Sequence, residues 1–116
     1  MSPAVKAHAV RRTTDILDRL QPLGLDAAVL KHLQRFLATH PSREAVSDYL
    51  VAMVPHFGTQ RRSTLPVLRA LVREVGAAVA EFDHLNHREA LEALRYVVGW
   101  LLRFAEIPPN TAHPVE

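Results

Sequence analysis

The chain has 116 residues and no cysteine, which excludes disulfides, thiolate metal sites and cysteine nucleophiles. It has only four glycines, and they are too scattered to form a glycine-rich phosphate-binding loop. No apolar run approaches the roughly 20 residues that a membrane-spanning helix needs. The N-terminal residues carry charge at Lys6, Arg11 and Arg12 and lack the apolar segment of a signal peptide. We therefore expect a cytoplasmic protein with no membrane partner.

Apolar side chains recur at helical spacing throughout the sequence, and the alternation typical of strands is absent. Prolines stand where helices should begin or end, and Pro55 is expected to end the third helix by Val54. We predict an all-α fold, a single compact bundle of about five helices within residues 1–107, followed by an extended or disordered tail at 108–116. The predicted helices cover residues 2–20, 26–39, 42–54, 63–84 and 87–106.

The fourth and fifth predicted helices have the most regular apolar patterns. The fourth carries apolar residues at alternating intervals of three and four, from Leu65 to Phe82, which is typical of a helix packed in an antiparallel bundle. The fifth is apolar over about two-thirds of its circumference, more than the ~100° stripe that a surface helix normally buries. It is therefore either the central helix of the bundle or part of an interface with another protein. The candidate interface residues are Val97, Trp100, Leu101 and Phe104.

The formal net charge is only +2, but the charges are unevenly distributed. Residues 1–14 and 49–73 contain basic residues and no acid, and all but Lys6 and Lys31 of the 14 basic residues are arginine. Arginine pairs bidentately with phosphate. These stretches are either ordinary solvated faces or a surface that binds nucleic-acid backbone. The candidate nucleic-acid-binding residues are Arg11, Arg12, Arg61, Arg62, Arg69 and Arg73.

The motifs of common enzymes and sequence-specific DNA readers are missing. We find no dinucleotide fingerprint, zinc-protease motif or nucleophile elbow. A helix-turn-helix is disfavoured because its recognition helix would carry Glu44 and Asp48, which repel phosphates.

The best candidate metal cluster is Glu81, Asp83, His84 and His87, but Leu85-Asn86 should break the helix between them and scatter the side chains. We predict no catalytic residues, no metal and no cofactor.

The functional prediction is a non-catalytic small helical subunit of a larger assembly. It would pack through apolar helix faces and contact nucleic-acid backbone non-specifically through arginines. Its partners would be other protein subunits or further copies of itself, together with the backbone of RNA or single-stranded DNA. The alternative is a homodimeric or adaptor-type interaction module that binds no nucleic acid.

Overall fold

A computed structural model of the chain describes residues 1–58 and 65–106, and over these ranges the fold is all-α, as predicted. Two single-turn 3-10 helices, Gln21–Leu23 and Phe82–His84, follow the first and fourth α-helices. The predicted tail at 108–116 lies outside the described residues. The α-helices are α1 (Pro3–Leu20), α2 (Ala27–Leu37), α3 (Arg43–Gly58), α4 (Leu65–Glu81) and α5 (His87–Glu106).

Local hydrogen bonds explain where three of these helices begin. Ser2 Oγ accepts from the Val5 backbone N–H at 3.3 Å, and the Asp26 carboxylate accepts from the Ala28 N–H at 3.0 Å. Asn86 and Glu89 form a reciprocal cap, in which Asn86 Oδ1 accepts from the Glu89 N–H at 2.9 Å. The Asn86 amide donates to Glu89 Oε1 at 2.6 Å. Each cap satisfies backbone donors that have no partner inside the helix.

The third helix differs from its prediction, because α3 continues through Pro55 to Gly58 instead of ending by Val54. A proline removes the N–H that would bond the carbonyl four residues earlier, here that of Val51. Both Pro55 and Val51 lie on the exposed side of α3, with Val51 75% exposed. Because solvent can hydrate a carbonyl on that side, the absence of one hydrogen bond is tolerated.

The fifth helix is the centre of the bundle. It packs against α1 on one side and α2 on the other, while α3 packs on α4 and α4 also contacts α1. The Cα atoms extend over 42 × 37 × 21 Å, so the bundle is about two helices thick. The side chains that α5 buries are Leu91, Ala93, Leu94, Val97, Val98, Leu101 and Leu102.

The buried part of the fourth helix differs from the row of apolar residues, spaced by three and four, that the sequence predicts. In that row Leu68, Val75 and Phe82 are buried, whereas Leu65, Val72 and Val79 are only partly buried. Additional buried positions arise because α3 and α1 both contact α4. These positions are Ala70, Leu71, Glu74 and Ala78.

Alanine substitutions on the two sides of the central helix should differ in their effect on stability. Leu101 is 0% exposed and Phe104 is 39% exposed on the same helix. We expect Leu101→Ala to lower the free energy of unfolding by about 2–5 kcal/mol, because it leaves a cavity in the core. The matched control Phe104→Ala should cost less than about 1 kcal/mol. Urea unfolding followed by circular dichroism measures both values, and equal losses would contradict the placement of α5.

Candidate nucleic-acid and protein interaction surfaces

Two carboxylates of α4 hold α1 in place. Glu74 is buried, and both of its carboxylate oxygens accept from Arg19 Nη1 at 2.9 Å. The hydrogen bond and the charge of Glu74 raise the pKa of Arg19 above its ordinary value. Seven residues further along α4, Glu81 accepts from Arg12 and contacts His8 Nε2. Because the order of the pairs is reversed between the helices, α1 runs antiparallel to α4.

These pairs divide the predicted nucleic-acid-binding arginines into three groups. Arg12 is half-buried and pairs with Glu81, so its guanidinium is already engaged within the chain. Arg61 and Arg62 lie outside the described residues. The remaining three are exposed, and no carboxylate of the described residues lies within 4.0 Å of their guanidinium nitrogens. These are Arg11, Arg69 and Arg73.

The three exposed arginines occupy two positions on the surface. Arg69 and Arg73 are one helical turn apart on the exposed side of α4. The pairing of Arg19 with Glu74 places Arg73 level with the last turn of α1. Arg11 lies about 13 Å along the helix axis from that level. The α4 arginines Arg69 and Arg73, which we call the α4 arginine pair, therefore form a site separate from Arg11.

The predicted protein-interface residues fall on opposite sides of α5. Val97 and Leu101 are 0% exposed and pack in the chain's own core, whereas Trp100 is 36% and Phe104 39% exposed. The interface prediction therefore depends on Trp100 and Phe104. The ring of Trp100 lies 6.3 Å from those of both Tyr96 and Phe104, measured between centroids.

A shallow groove between α2 and α5 surrounds the exposed face of Trp100. The Arg103 guanidinium lies over the Trp100 ring, 5.1 Å from its centroid, in a cation–π arrangement. Arg95 of α5 lines both this groove and the adjoining depression, and Arg35 of α2 lines the adjoining depression. We call this region the α2/α5 surface. Its residues are Gln34, Arg35, Arg95, Tyr96, Trp100 and Arg103.

The α2/α5 surface carries positive charge that no acid in residues 1–58 and 65–106 pairs with. The two acids that line it, Glu106 and Glu92, are engaged by other cations. Glu106 lies 3.9 Å from Lys31 Nζ, and Glu92 lies 3.1 Å from the N-terminal ammonium of Met1 and 3.4 Å from Arg88 Nε. No carboxylate of the described residues lies within 4.0 Å of the guanidinium nitrogens of Arg35, Arg95 or Arg103. Sequence reasoning missed these three arginines as site residues. Arg95 and Arg103 could have been identified from the sequence, because they stand beside the regularly spaced aromatic residues of α5. The position of Arg35 close to them depends on how α2 packs against α5.

The candidate metal cluster does not assemble. Asp83 accepts from Arg43 at 2.7 Å, and His84 Nδ1 contacts the backbone carbonyl of Glu81 at 2.8 Å. Asn86 caps α5 and interrupts the helix, as the sequence predicted. Within residues 1–58 and 65–106, no three His, Asp or Glu side chains are arranged so that they could hold a metal ion.

Comparison with known proteins gives no relative from which a role could be taken. No protein-family model, curated protein or solved structure matches the chain. None of the helices that the structure describes has the length and apolar character needed to cross a membrane.

The ion pair of Arg19 with buried Glu74 should be important for stability. Arg19→Ala leaves a buried carboxylate without its partner, which costs more than the pair itself contributes. We expect a clear fall in the urea midpoint, larger than that of Arg88→Ala, which removes an exposed i,i+4 pair with Glu92. In Arg19→Ala/Glu74→Leu, where no charge is left buried, much of the loss should be recovered. A double variant no more stable than Arg19→Ala would contradict this explanation.

Proposed function

We propose that the chain is a non-catalytic helical subunit of a larger assembly that binds nucleic-acid backbone through arginines not used by its own fold. The observation that carries this proposal is the division of the arginines. Arg12 and Arg19 neutralise the carboxylates of α4, whereas the α4 arginine pair points away from the bundle with no carboxylate partner among the described residues. Planar guanidinium groups one turn apart are suited to adjacent phosphates.

The sequence around the α4 arginine pair supports the same role. Residues 49–73 contain Arg61, Arg62, Arg69 and Arg73 but no acid. An acid-free stretch avoids repulsion of phosphates and requires no particular base sequence. The binding we propose is therefore to backbone, without sequence preference.

A second candidate function is the adaptor or homodimeric module that binds no nucleic acid. The exposure of Trp100 between Arg95 and Arg103 supports it, because tryptophan, tyrosine and arginine are enriched at the energetic centres of protein interfaces. In this alternative, the arginines of α4 serve only as charged surface residues.

Salt-dependent binding of labelled single-stranded RNA distinguishes the two functions. Fluorescence anisotropy at about 50 and about 200 mM salt should show a steep fall in affinity for the native chain. Arg69→Ala/Arg73→Ala should weaken binding and reduce the slope of log affinity against log salt by about 1.4, at about 0.7 for each phosphate that is no longer neutralised. Arg61→Ala/Arg62→Ala tests the acid-free stretch separately. Duplex DNA in parallel shows which nucleic acid is preferred.

The control is Lys31→Ala/Arg88→Ala, which removes the same charge from residues paired with Glu106 and Glu92. It should leave the slope unchanged. An equal loss in the control would show that only net charge matters and would contradict the assignment to α4. No binding at about 50 mM salt would overturn the nucleic-acid function and favour the adaptor.

A further inference from the structure

We propose that the α2/α5 surface binds the outer side of α3 from a second copy of this chain, so that copies associate head to tail. The α3 residues concerned are Glu44, Asp48, Val51 and Pro55, which we call the acidic α3 face. This inference develops the assembly part of the proposed function and does not depend on nucleic-acid binding.

The acidic α3 face is an exposed stripe with a charge opposite to that of the α2/α5 surface. Its residues follow one another at intervals of four, three and four, which places them on one side of the helix. Glu44 and Asp48 are exposed, and no cationic nitrogen of the described residues lies within 4.0 Å of either carboxylate. Val51 is 75% exposed, the largest exposure among the large apolar side chains that the structure describes.

The α2/α5 surface offers matching groups. Trp100 and Tyr96 provide a flat apolar area for Val51, and Arg35 and Arg95 provide charges for the two acids. Arg103 stacks over Trp100, and a stacked guanidinium keeps the N–H groups at its edge available to a carboxylate. The positive charge of the α2/α5 surface therefore favours the acidic α3 face as the surface that binds there.

Hydrogen bonding adds a second kind of complementarity. Among the described residues, nothing accepts from the Trp100 indole N–H. On α3, Pro55 cannot donate to the Val51 carbonyl, so that acceptor lacks its usual helical partner. One surface thus presents a donor and the other an acceptor beside the apolar residues that would meet.

The two surfaces also match in length. Along α3, Asp48 and Glu44 lie about 5 and 10 Å from Val51, and along α5, Arg95 lies about 8 Å from Trp100, so an acid and Val51 can meet Arg95 and Trp100 together. A symmetric contact of the α2/α5 surface with itself would bring arginines against arginines, which is unfavourable. Because the two surfaces differ, each copy retains one open surface after pairing, and the contact can extend into a chain or close into a ring.

The test is sedimentation velocity of the native chain without nucleic acid, from about 1 µM to about 1 mM, a range suited to weak association. The native chain should form species larger than a dimer as concentration rises. Asp48→Arg/Val51→Arg removes the acidic α3 face, and Arg95→Ala/Trp100→Ala removes the α2/α5 surface without creating an acidic surface that the first variant could bind. Each variant alone should associate at least about tenfold more weakly than the native chain.

Mixing the two variants is the decisive step. Each retains the surface that the other lacks, so the mixture should form a one-to-one dimer that does not grow further. The control Val10→Arg makes a similar change on α1, where Val10 is 43% exposed, and should associate like the native chain. Circular dichroism and urea unfolding verify that every variant is folded.

Three results would overturn the proposal. A native chain that stays monomeric up to about 1 mM has no such contact. Continued dimerisation of Asp48→Arg/Val51→Arg, without any gain on mixing, would show a symmetric contact through α5. Equal weakening by Val10→Arg would show that the association is not specific to these surfaces. Because no RNA is present, none of these results bears on the nucleic-acid function, which anisotropy tests separately.

Discussion

The burial of α5 between α1 and α2 is the constraint on which the rest of the structure depends. Seven side chains of this helix lie in the core, and each buried leucine contributes on the order of 2 kcal/mol of apolar burial. Once α5 occupies the centre, α1 is placed on one side, where Arg12 and Arg19 reach the carboxylates of α4. One side of α5 then remains exposed to solvent, and Trp100 lies on that side.

Internal ion pairing determines which charges remain for partners. Glu74 and Glu81 are matched by Arg19 and Arg12, so α4 presents arginines on its outer side that no acid of the described residues pairs with. The same logic applies to α5, where Arg88 and Lys31 engage the acids that border the α2/α5 surface. On α3, by contrast, Glu44 and Asp48 are left without cations among the described residues. Within the part of the chain that the structure describes, the fold thus places unpaired charges of opposite sign on different surfaces, which is the basis of both proposals.

Much of the fold could be predicted because its signals are local. The cap residues Ser2, Asp26 and Asn86 act within three residues of themselves, and the apolar periodicity of α5 already suggested a central helix. The use of individual side chains could not be predicted, because it depends on packing. Arg12 pairs with Glu81, which is 69 positions away in the sequence. Val97 is buried and Trp100 is exposed because they lie on different sides of α5, and the packing of α1 and α2 decides which side is covered. The predicted end of the third helix was wrong because Pro55 lies on the exposed side of α3, where a missing backbone hydrogen bond is tolerated.

The central claim is that two separate surfaces serve two partners, the α4 arginine pair for phosphates and the α2/α5 surface for another copy. The most direct test is a ¹H–¹⁵N correlation spectrum recorded during an RNA titration and, separately, across protein concentration. We expect RNA to shift the signals of Arg69 and Arg73, and rising concentration to shift Asp48, Val51 and the Trp100 indole N–H. RNA-induced shifts confined to Arg95, Trp100 and Arg103 would contradict this division, because one surface would then bind the nucleic acid that we assign to the other.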